Sequence, residues 1–256
     1  MAKNAGFFER LTHKRSLQHW MARAESAKRV DFDELKDHQK KARTLRRLLD
    51  EVLFVADDRL TLPRPGSQAF QTPTGTDWSW RPPLWRGPAQ SKGAAGIASG
   101  FKVTDGTTIF HDCQNSDLTY RQVRNTRKDD LAAYGARLDV FDFDGSFLSM
   151  VVDLPDDCHA ALQRTHLFRL NAVLESERPL EIFARLNVKH GPNVEQIVRE
   201  LPLHQDDVWV EFDLGYTKIN EKRVEKIWVD LIFEGPQMNQ ITLRDVTLSR
   251  GRRSEL

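Results

Sequence analysis

Cysteine is scarce in this sequence. The 256 residues contain only Cys113 and Cys158. Two cysteines are too few for a disulfide framework, and they lack the CxxC or Cys/His spacing of a zinc site. We therefore expect free thiols and a reducing compartment.

Long apolar runs are also absent. No stretch approaches the roughly 18–20 consecutive apolar residues that cross a bilayer. The N-terminus MAKNAGFFERLTHKRSLQHW lacks the continuous apolar core of a signal peptide. These absences predict a cytoplasmic protein without a transmembrane segment, unless it leaves the cell by lysis or as part of a particle.

There is little net charge. The formal net charge is +1, so no whole-molecule field favours nucleic acid. Residues 1–56 are locally basic, with thirteen Lys and Arg against eight Asp and Glu. The cluster in 40–47 could contact phosphates or lipid headgroups, but a solvated helix face is the commoner structure and no base-reading element accompanies it. No specific nucleic-acid binding is predicted.

The familiar nucleotide, hydrolase and metalloprotease motifs are missing, including G-x-x-x-x-G-K-[ST], G-x-G-x-x-G, G-x-S-x-G and H-E-x-x-H. His111 and Cys113 could share one face of a strand, but no third group orients them. Paired carboxylates coincide with expected turns. No catalytic residue is therefore named, and the sequence favours a protein that is not an enzyme.

Four aspartates are the only pattern that suggests a metal ion. Asp139, Asp142, Asp144 and Asp153 could ligate Ca²⁺ near a hairpin end, although their spacing is not that of an EF-hand. No other cofactor is predicted.

The first 56 residues carry apolar side chains at helical spacing. Phe7 to Lys28 predicts one helix, and Asp31 can cap a second helix that runs to about Val55. The pair forms a basic helical hairpin over 1–56. Its narrow apolar face must be buried on the rest of the chain, on itself in a homo-oligomer, or on another protein partner.

Residues 57–100 are rich in Pro and Gly but hold Trp78, Trp80 and Trp85. Exposing three indoles to water is unfavourable, so this segment is predicted to wrap over the following domain and to insert its Trp side chains into grooves.

Period-two alternation begins at Thr107 and predicts strands. At least eight short strands at regular spacing predict that 101–256 is an antiparallel β-sandwich of the jelly-roll type. Asp144-Gly145 predicts a tight hairpin between two of them, and 190–193 predicts another turn. The fold class is therefore mainly β, with an N-terminal α-helical hairpin.

The second face of several strands mixes indoles with polar groups. Flat rings stack on sugar C–H faces, and planar polar groups bind hydroxyls, so this surface is a candidate sugar-binding site. In the alternative interpretation, the N-terminal segments cover the same aromatics as ordinary core. The candidate contacts are Trp209, Trp228, Arg185, Asn187 and Lys189, with Trp78, Trp80 and Trp85 either joining the site or covering it.

Two stretches resemble a known family. GTDWSWRPPLWRGP, and EIFARLNVKHGPNVEQIVRELPL with FDLGYTKINEKRVEKIWVDLIFEGPQMNQITLRDVTLSR, resemble a domain-of-unknown-function family of alphaproteobacteria, chiefly Rhodobacterales. That family brings no assigned site residues. The closing run IWVDLIFEGPQMNQITLRDVTLSR is also similar to the last strands of galactose-binding-like and carbohydrate-binding jelly rolls, which implies a fold more than an activity.

Three functions remain open. The leading hypothesis is a non-enzymatic binding module for a glycan or another extended ligand. The alternative is a structural or scaffolding protein of an envelope-associated or phage-like assembly. The third is an enzyme acting on polysaccharide, which needs two carboxyl groups roughly 5–9 Å apart.

Overall fold

The computed structural model of the chain describes residues 2–60, 70–203 and 207–253, with the side chains of 2–9, 58 and 59 left aside. It divides into two compact units, Met1–Leu53 and Phe54–Leu256. The boundary lies within a continuous helix.

Two helices form the predicted N-terminal pair. Helix α1 spans Ala2–Ser26 and α2 spans Phe32–Leu60. The Asp31 carboxylate accepts the backbone N–H groups of Asp33 and Glu34 at 3.0 and 2.8 Å, which is the expected N-cap. None of the helices in the described residues combines the length and apolar character needed to span a bilayer.

Thirteen strands within the described residues build two antiparallel sheets that pack as a sandwich, as predicted. The seven-stranded sheet A has the order β11-β8-β13-β6-β5-β2, with β1 also paired to β13, and the six-stranded sheet B has the order β10-β9-β12-β7-β4-β3. The strands are β1 (Thr76–Trp80), β2 (Gly93–Ala95), β3 (Phe101–Thr104), β4 (Thr107–His111), β5 (Leu118–Arg124), β6 (Tyr134–Val140), β7 (Leu148–Asp153), β8 (His166–Ser176), β9 (Glu181–His190), β10 (Asn193–Glu200), β11 (Asp207–Asp213), β12 (Val224–Glu234) and β13 (Asn239–Arg252). Short helices are α3 (Pro83–Arg86) and three 3₁₀ turns at Asp156–His159, Leu214–Tyr216 and Glu221–Arg223.

The core lies between the two sheets. On β9 the side chains of Ile182, Ala184 and Leu186 are fully buried, whereas the alternate residues Phe183 and Arg185 are half-buried. The strand pleat sends alternate side chains to opposite faces, so each sheet has an inner apolar face and an outer face.

One predicted turn is confirmed and the other is wrong. Gly191, with a φ of 60°, turns β9 into its antiparallel partner β10. Asp144-Gly145, in contrast, joins β6 of sheet A to β7 of sheet B, so it is a crossover between sheets and not a hairpin. The Asp144 carboxylate accepts the backbone N–H groups of Gln114 and Asn115, and these bonds tie the crossover to the loop after β4.

Part of segment 57–100 belongs to the sandwich itself. Strand β1 pairs with the C-terminal half of β13, and β2 pairs with β5 at the edge of sheet A. The short helix α3 between them carries Leu84 and Trp85, both fully buried. Residues 61–69 lie outside the described part of the chain.

His166 is a buried histidine at the start of β8. Its Nδ1 accepts the backbone N–H of Gln163 at 3.0 Å, and its Nε2 lies 3.5 Å from the Asp77 carboxylate. Burial lowers the pKa of His166, and nearby Arg250 lowers it further against the opposing effect of Asp77. The folded protein therefore prefers the neutral imidazole.

This preference predicts a loss of stability in mild acid. Because the folded pKa is depressed, the unfolded chain takes up the proton first as the pH falls below about 6.5, and the free energy of unfolding declines from there toward the folded pKa. His166→Asn keeps an acceptor and removes the titration. We expect urea unfolding to show that the free energy of unfolding falls less between pH 7.5 and pH 5.5 in this variant than in the wild type. Equal falls would contradict a lowered pKa of His166 in the folded protein.

Candidate functional site

Four of the predicted contacts lie together on the outer face of sheet B. Arg185, Asn187 and Lys189 follow one another along β9, and Trp228 on β12 is the direct cross-strand neighbour of Asn187. The Trp228 indole is half-buried, and the Lys226 ammonium lies 5.7 Å from its ring centroid. The alternation of side chains along β9 and β12 therefore places these four on one face, as predicted.

The polar atoms of this face are already engaged with one another. Arg185 Nε and Asn187 Nδ2 donate to the same oxygen of Asp230, at 2.7 and 3.1 Å. Gln196 Nε2 donates to Asn187 Oδ1 at 3.0 Å, and Lys189 pairs with a carboxylate of β12 at 2.8 Å. A ligand would have to displace these bonds, which makes the face a poor site for hydroxyl recognition.

Trp209 lies elsewhere. It is on β11, so it occupies the outer face of sheet A, on the opposite side of the sandwich from Trp228. Its side chain is 48% exposed, and the Arg169 guanidinium stacks 3.9 Å from its ring centroid. Arg169 is held there by hydrogen bonds to Glu211. The indole is thus fixed in orientation and open to solvent.

A pocket of about 330 Å³ lies beside Trp209 on the same face. In the sheet register, Trp209 is opposite Asn171, and Asn171 is opposite Thr247 on β13. The pocket therefore begins one strand away from the indole. Its lining consists of Phe70, Gln71, Leu131, Asn171, Val173, Asp207, Asp245 and Thr247.

Three polar side chains that the β-strands contribute to this lining have no partner within the described part of the chain. Among the described residues, the side chains of Asn171, Thr247 and Asp207 have no hydrogen-bond or ion-pair partner. An amide, a hydroxyl and a carboxylate thus converge beside an open indole. The sequence analysis did not name these three residues. Once the pairing of β11, β8 and β13 is known, the alternation of side chains along the strands places them on one face.

A buried ion pair forms one side of the pocket. Arg81 Nε and Nη2 donate to the two oxygens of Asp245, at 2.9 and 2.8 Å. Burial raises the pKa of Asp245, and the Arg81 guanidinium opposes that rise. The Phe70 ring covers Arg81, with 5.1 Å between the guanidinium and the ring centroid.

The three tryptophans of 57–100 are packing residues. Trp85 is fully buried and its Nε1 donates to the Leu243 carbonyl at 3.0 Å, which fits the covering alternative of its prediction and leaves the side chain out of reach of a ligand. Trp78 and Trp80 are half-buried and pack against the core, and they stack on each other with 6.3 Å between their ring centroids. They cover the edge of the core and lie in neither candidate site.

The thiols are unsuited to nucleophilic chemistry. Burial raises the pKa of Cys113, and Asp144 raises it further. Burial, with Asp157, raises the pKa of Cys158 to about 12. A thiolate is the reactive form, so both cysteines remain unreactive thiols at neutral pH.

The four aspartates considered for Ca²⁺ have separate surroundings. Asp139 accepts hydrogen bonds from Thr119 and Gln240, whereas Asp153 pairs with Lys226. Within the described residues, no three His, Cys, Asp or Glu side chains are grouped so that they could hold a metal ion.

The sequence as a whole matches one protein family. Residues 1–256 match the family described as "Family of unknown function (DUF6478)". The chain belongs to this family. No curated protein matches it significantly.

Several solved structures are similar to this DUF6478 member at low identity. One is the enzymatically active domain of tailspike protein 4 of bacteriophage CBA120, at 9% identity and a TM-score of 0.41, covering 62% of this chain and 21% of that one. Another is the family 11 carbohydrate-binding module of Clostridium thermocellum in complex with a mixed-linked tetrasaccharide, at 11% identity and a TM-score of 0.37, covering 63% and 99%. A third is a xylan-binding domain from carbohydrate-binding module family 22, at 8% identity and a TM-score of 0.36, covering 72% and 99%.

Proposed function

We propose that the protein is a non-enzymatic glycan-binding module and that the pocket beside Trp209 is its site. The observation that carries the proposal is the half-exposed Trp209 indole next to Asn171, Thr247 and Asp207, whose side chains have no hydrogen-bond or ion-pair partner in the part of the chain that the structure describes. An indole offers a flat apolar surface to the C–H face of a sugar ring. The amide, hydroxyl and carboxylate supply the donors and acceptors that hydroxyl groups need.

The charge of the lining indicates which sugars fit. Asp207 and Asp245 both line the pocket, and the described residues of its lining include no Lys or Arg. Arg81 offsets Asp245 but lies buried beneath the surface. An anionic sugar would bring its carboxylate close to Asp207 at an energetic cost. Neutral and amino sugars are therefore the proposed ligands, and uronic acids are disfavoured.

A glycan array followed by calorimetry tests this proposal. We expect neutral or amino-sugar oligosaccharides to bind, and Trp209→Ala to weaken binding by roughly 10–30-fold, the loss typical of a central aromatic contact. Asn171→Ala should weaken it less. Tyr216→Ala is the matched control, because Tyr216 is also an exposed ring beside an arginine, 81% exposed with Arg253 at 5.5 Å, and lies outside the pocket.

Two outcomes would oppose the proposal. An empty array would remove the glycan function. Binding that survives Trp209→Ala but is lost in Trp228→Ala would move the site to the outer face of sheet B, where Arg185, Asn187 and Lys189 lie.

A scaffolding role is the second candidate function. It is favoured by the helix pair, in which no described side chain from Arg10 to Leu53 is fully buried. Such a unit suits assembly with a protein partner.

A cytoplasmic location stays a prediction.

A further inference from the structure

The pocket beside Trp209 contains a carboxylate without a counter-ion in the described part of the chain. Of the two carboxylates in its lining, Asp245 is buried and both of its oxygens accept hydrogen bonds from Arg81. Asp207 is exposed at the start of β11 and has no ion-pair partner among the described residues. Burial raises the pKa of Asp245 against the opposing effect of Arg81, and the charge of Asp207 adds to that rise, so the two carboxylates interact. The pocket therefore favours a cation over an anion.

Other arginines around the pocket do not neutralise this charge. Like Arg81, each of them is paired with a carboxylate of its own. Arg169 donates to Glu211, and Arg244 donates to both oxygens of Asp130, which precedes a lining residue in the sequence. The exposed carboxylate of the pocket is thus available to a ligand.

A buried hydroxyl group opens onto the same pocket. Thr247 is only 5% exposed and lines the cavity, and its side chain forms no hydrogen bond within the described residues. Buried hydroxyl groups normally have a hydrogen-bond partner, so this one favours a polar ligand group in the pocket. Asn171, its cross-strand neighbour, contributes an amide oxygen to the same lining. The pocket therefore offers three kinds of acceptor: a carboxylate, an amide oxygen and a hydroxyl oxygen.

A protonated primary amine matches these acceptors. An ammonium group has three N–H donors and no acceptor, so it can donate to the Asp207 carboxylate and to the neutral oxygens beside it. A calcium ion is a poorer match because it takes roughly six to eight oxygen ligands, and the second carboxylate of the pocket is already held by Arg81.

The acceptors lie next to the indole that would hold a sugar ring. Asp207 and Trp209 are two residues apart on β11, so their side chains leave the same face of the strand about 7 Å apart. An oligosaccharide that stacks on the indole therefore brings an amine within reach of Asp207.

We propose that the pocket selects oligosaccharides that carry protonated amino groups over neutral ones, and that Asp207 is the residue that makes this selection. This inference rests on the proposed function, because it concerns the ligand class of the same site.

Three trisaccharides measure the preference. Cellotriose, triacetylchitotriose and the fully deacetylated glucosamine trimer share a backbone of β-linked pyranose rings and differ only at C2, which carries a hydroxyl, an acetamide or an ammonium group. Calorimetry with the full chain at about pH 6 keeps the amines protonated. We expect the glucosamine trimer to bind roughly 5–10-fold more tightly than cellotriose, because it adds a charge-assisted hydrogen bond. Triacetylchitotriose is neutral and should not share this gain.

Two matched variants locate the preference. Asp207→Asn keeps the shape of the side chain and removes its charge, so the ratio of the two affinities should fall to about one. Asp129→Asn is the control, because Asp129 is also an exposed carboxylate, lies two residues before Leu131 and is outside the lining. It should leave the ratio unchanged. In the wild type, raising NaCl from about 0.05 to about 0.5 M should also lower the ratio, since salt screens an exposed charge.

The outcomes separate this inference from the proposed function. Equal affinities of cellotriose and the glucosamine trimer for the wild type would overturn the amine preference and leave glycan binding intact. An unchanged ratio in Asp207→Asn, or an equal fall in Asp129→Asn, would overturn the role of Asp207. Binding of neutral array oligosaccharides without binding of the glucosamine trimer would likewise reject the preference. If no oligosaccharide bound at all, the proposed function would fail together with the inference.

Discussion

Replacing Asp245 with alanine is expected to lower the free energy of unfolding of the sandwich by about 3–5 kcal/mol. The reason is the loss of a buried, bidentate ion pair. Arg81 has a nearly buried side chain and donates to both Asp245 oxygens, so the variant would lose two charge-assisted hydrogen bonds in a region of low dielectric. Urea unfolding followed by circular dichroism measures the change.

A matched pair of variants separates this cause from a general loss of contacts. Replacing both partners, Arg81→Met with Asp245→Leu, removes the charge and the countercharge together and should recover most of the lost stability. Arg253→Ala breaks a more exposed pair with Asp213 and should change stability by less than about 1 kcal/mol. Similar losses in Asp245→Ala and Arg253→Ala would contradict the account of the buried pair.

Trp85→Ala is expected to cost about 3–5 kcal/mol of unfolding free energy. The indole is fully buried, and α3 places it against β13, where its Nε1 donates to the Leu243 carbonyl. Truncation removes the largest side chain of α3 from the core, leaves a cavity and breaks the hydrogen bond to the Leu243 carbonyl. Thermal and urea unfolding by circular dichroism measure the effect without relying on tryptophan emission.

Trp85→Phe divides this effect into its two parts. Phenylalanine keeps much of the buried apolar area but cannot donate to Leu243, so we expect a loss of about 1–3 kcal/mol. Trp78→Ala, at a half-buried position, should lower the free energy of unfolding by less than Trp85→Ala does. A wild-type stability in Trp85→Ala would show that α3 is not part of the core.

Burial along single strands could be predicted because it is a local property. The alternation of Ile182, Ala184 and Leu186 with Phe183 and Arg185 follows from the pleat alone, and the structure has these faces as predicted. The helix pair and its Asp31 cap also depend on near neighbours, so spacing and capping chemistry were sufficient.

Sheet membership could not be predicted because it depends on distant pairing. Trp209 and Trp228 both lie on outer faces, as parity indicated, but on opposite sheets. The prediction of a hairpin at Asp144-Gly145 was wrong for the same reason. A turn motif indicates that the chain reverses, but not which sheet contains the next strand.

The pocket could not be predicted from the sequence because the alternation of side chains along β13 is interrupted. Ile241 and Leu243 point inward, and simple alternation would send Asp245 inward as well. A register shift between Leu243 and Asp245 instead places Asp245 opposite Val173 on the outer face. Such a bulge adds one residue and reverses the parity that follows. No short-range signal in the sequence marks it.

The most direct test of the proposed glycan site is a ¹H–¹⁵N spectrum of the six tryptophan indole N–H groups during titration with the best ligand from the array, assigned with Trp209→Phe and Trp228→Phe. The account predicts that the Trp209 signal shifts in proportion to occupancy while those of Trp85 and Trp228 stay in place. A shift of Trp228 with an unmoved Trp209 would contradict it.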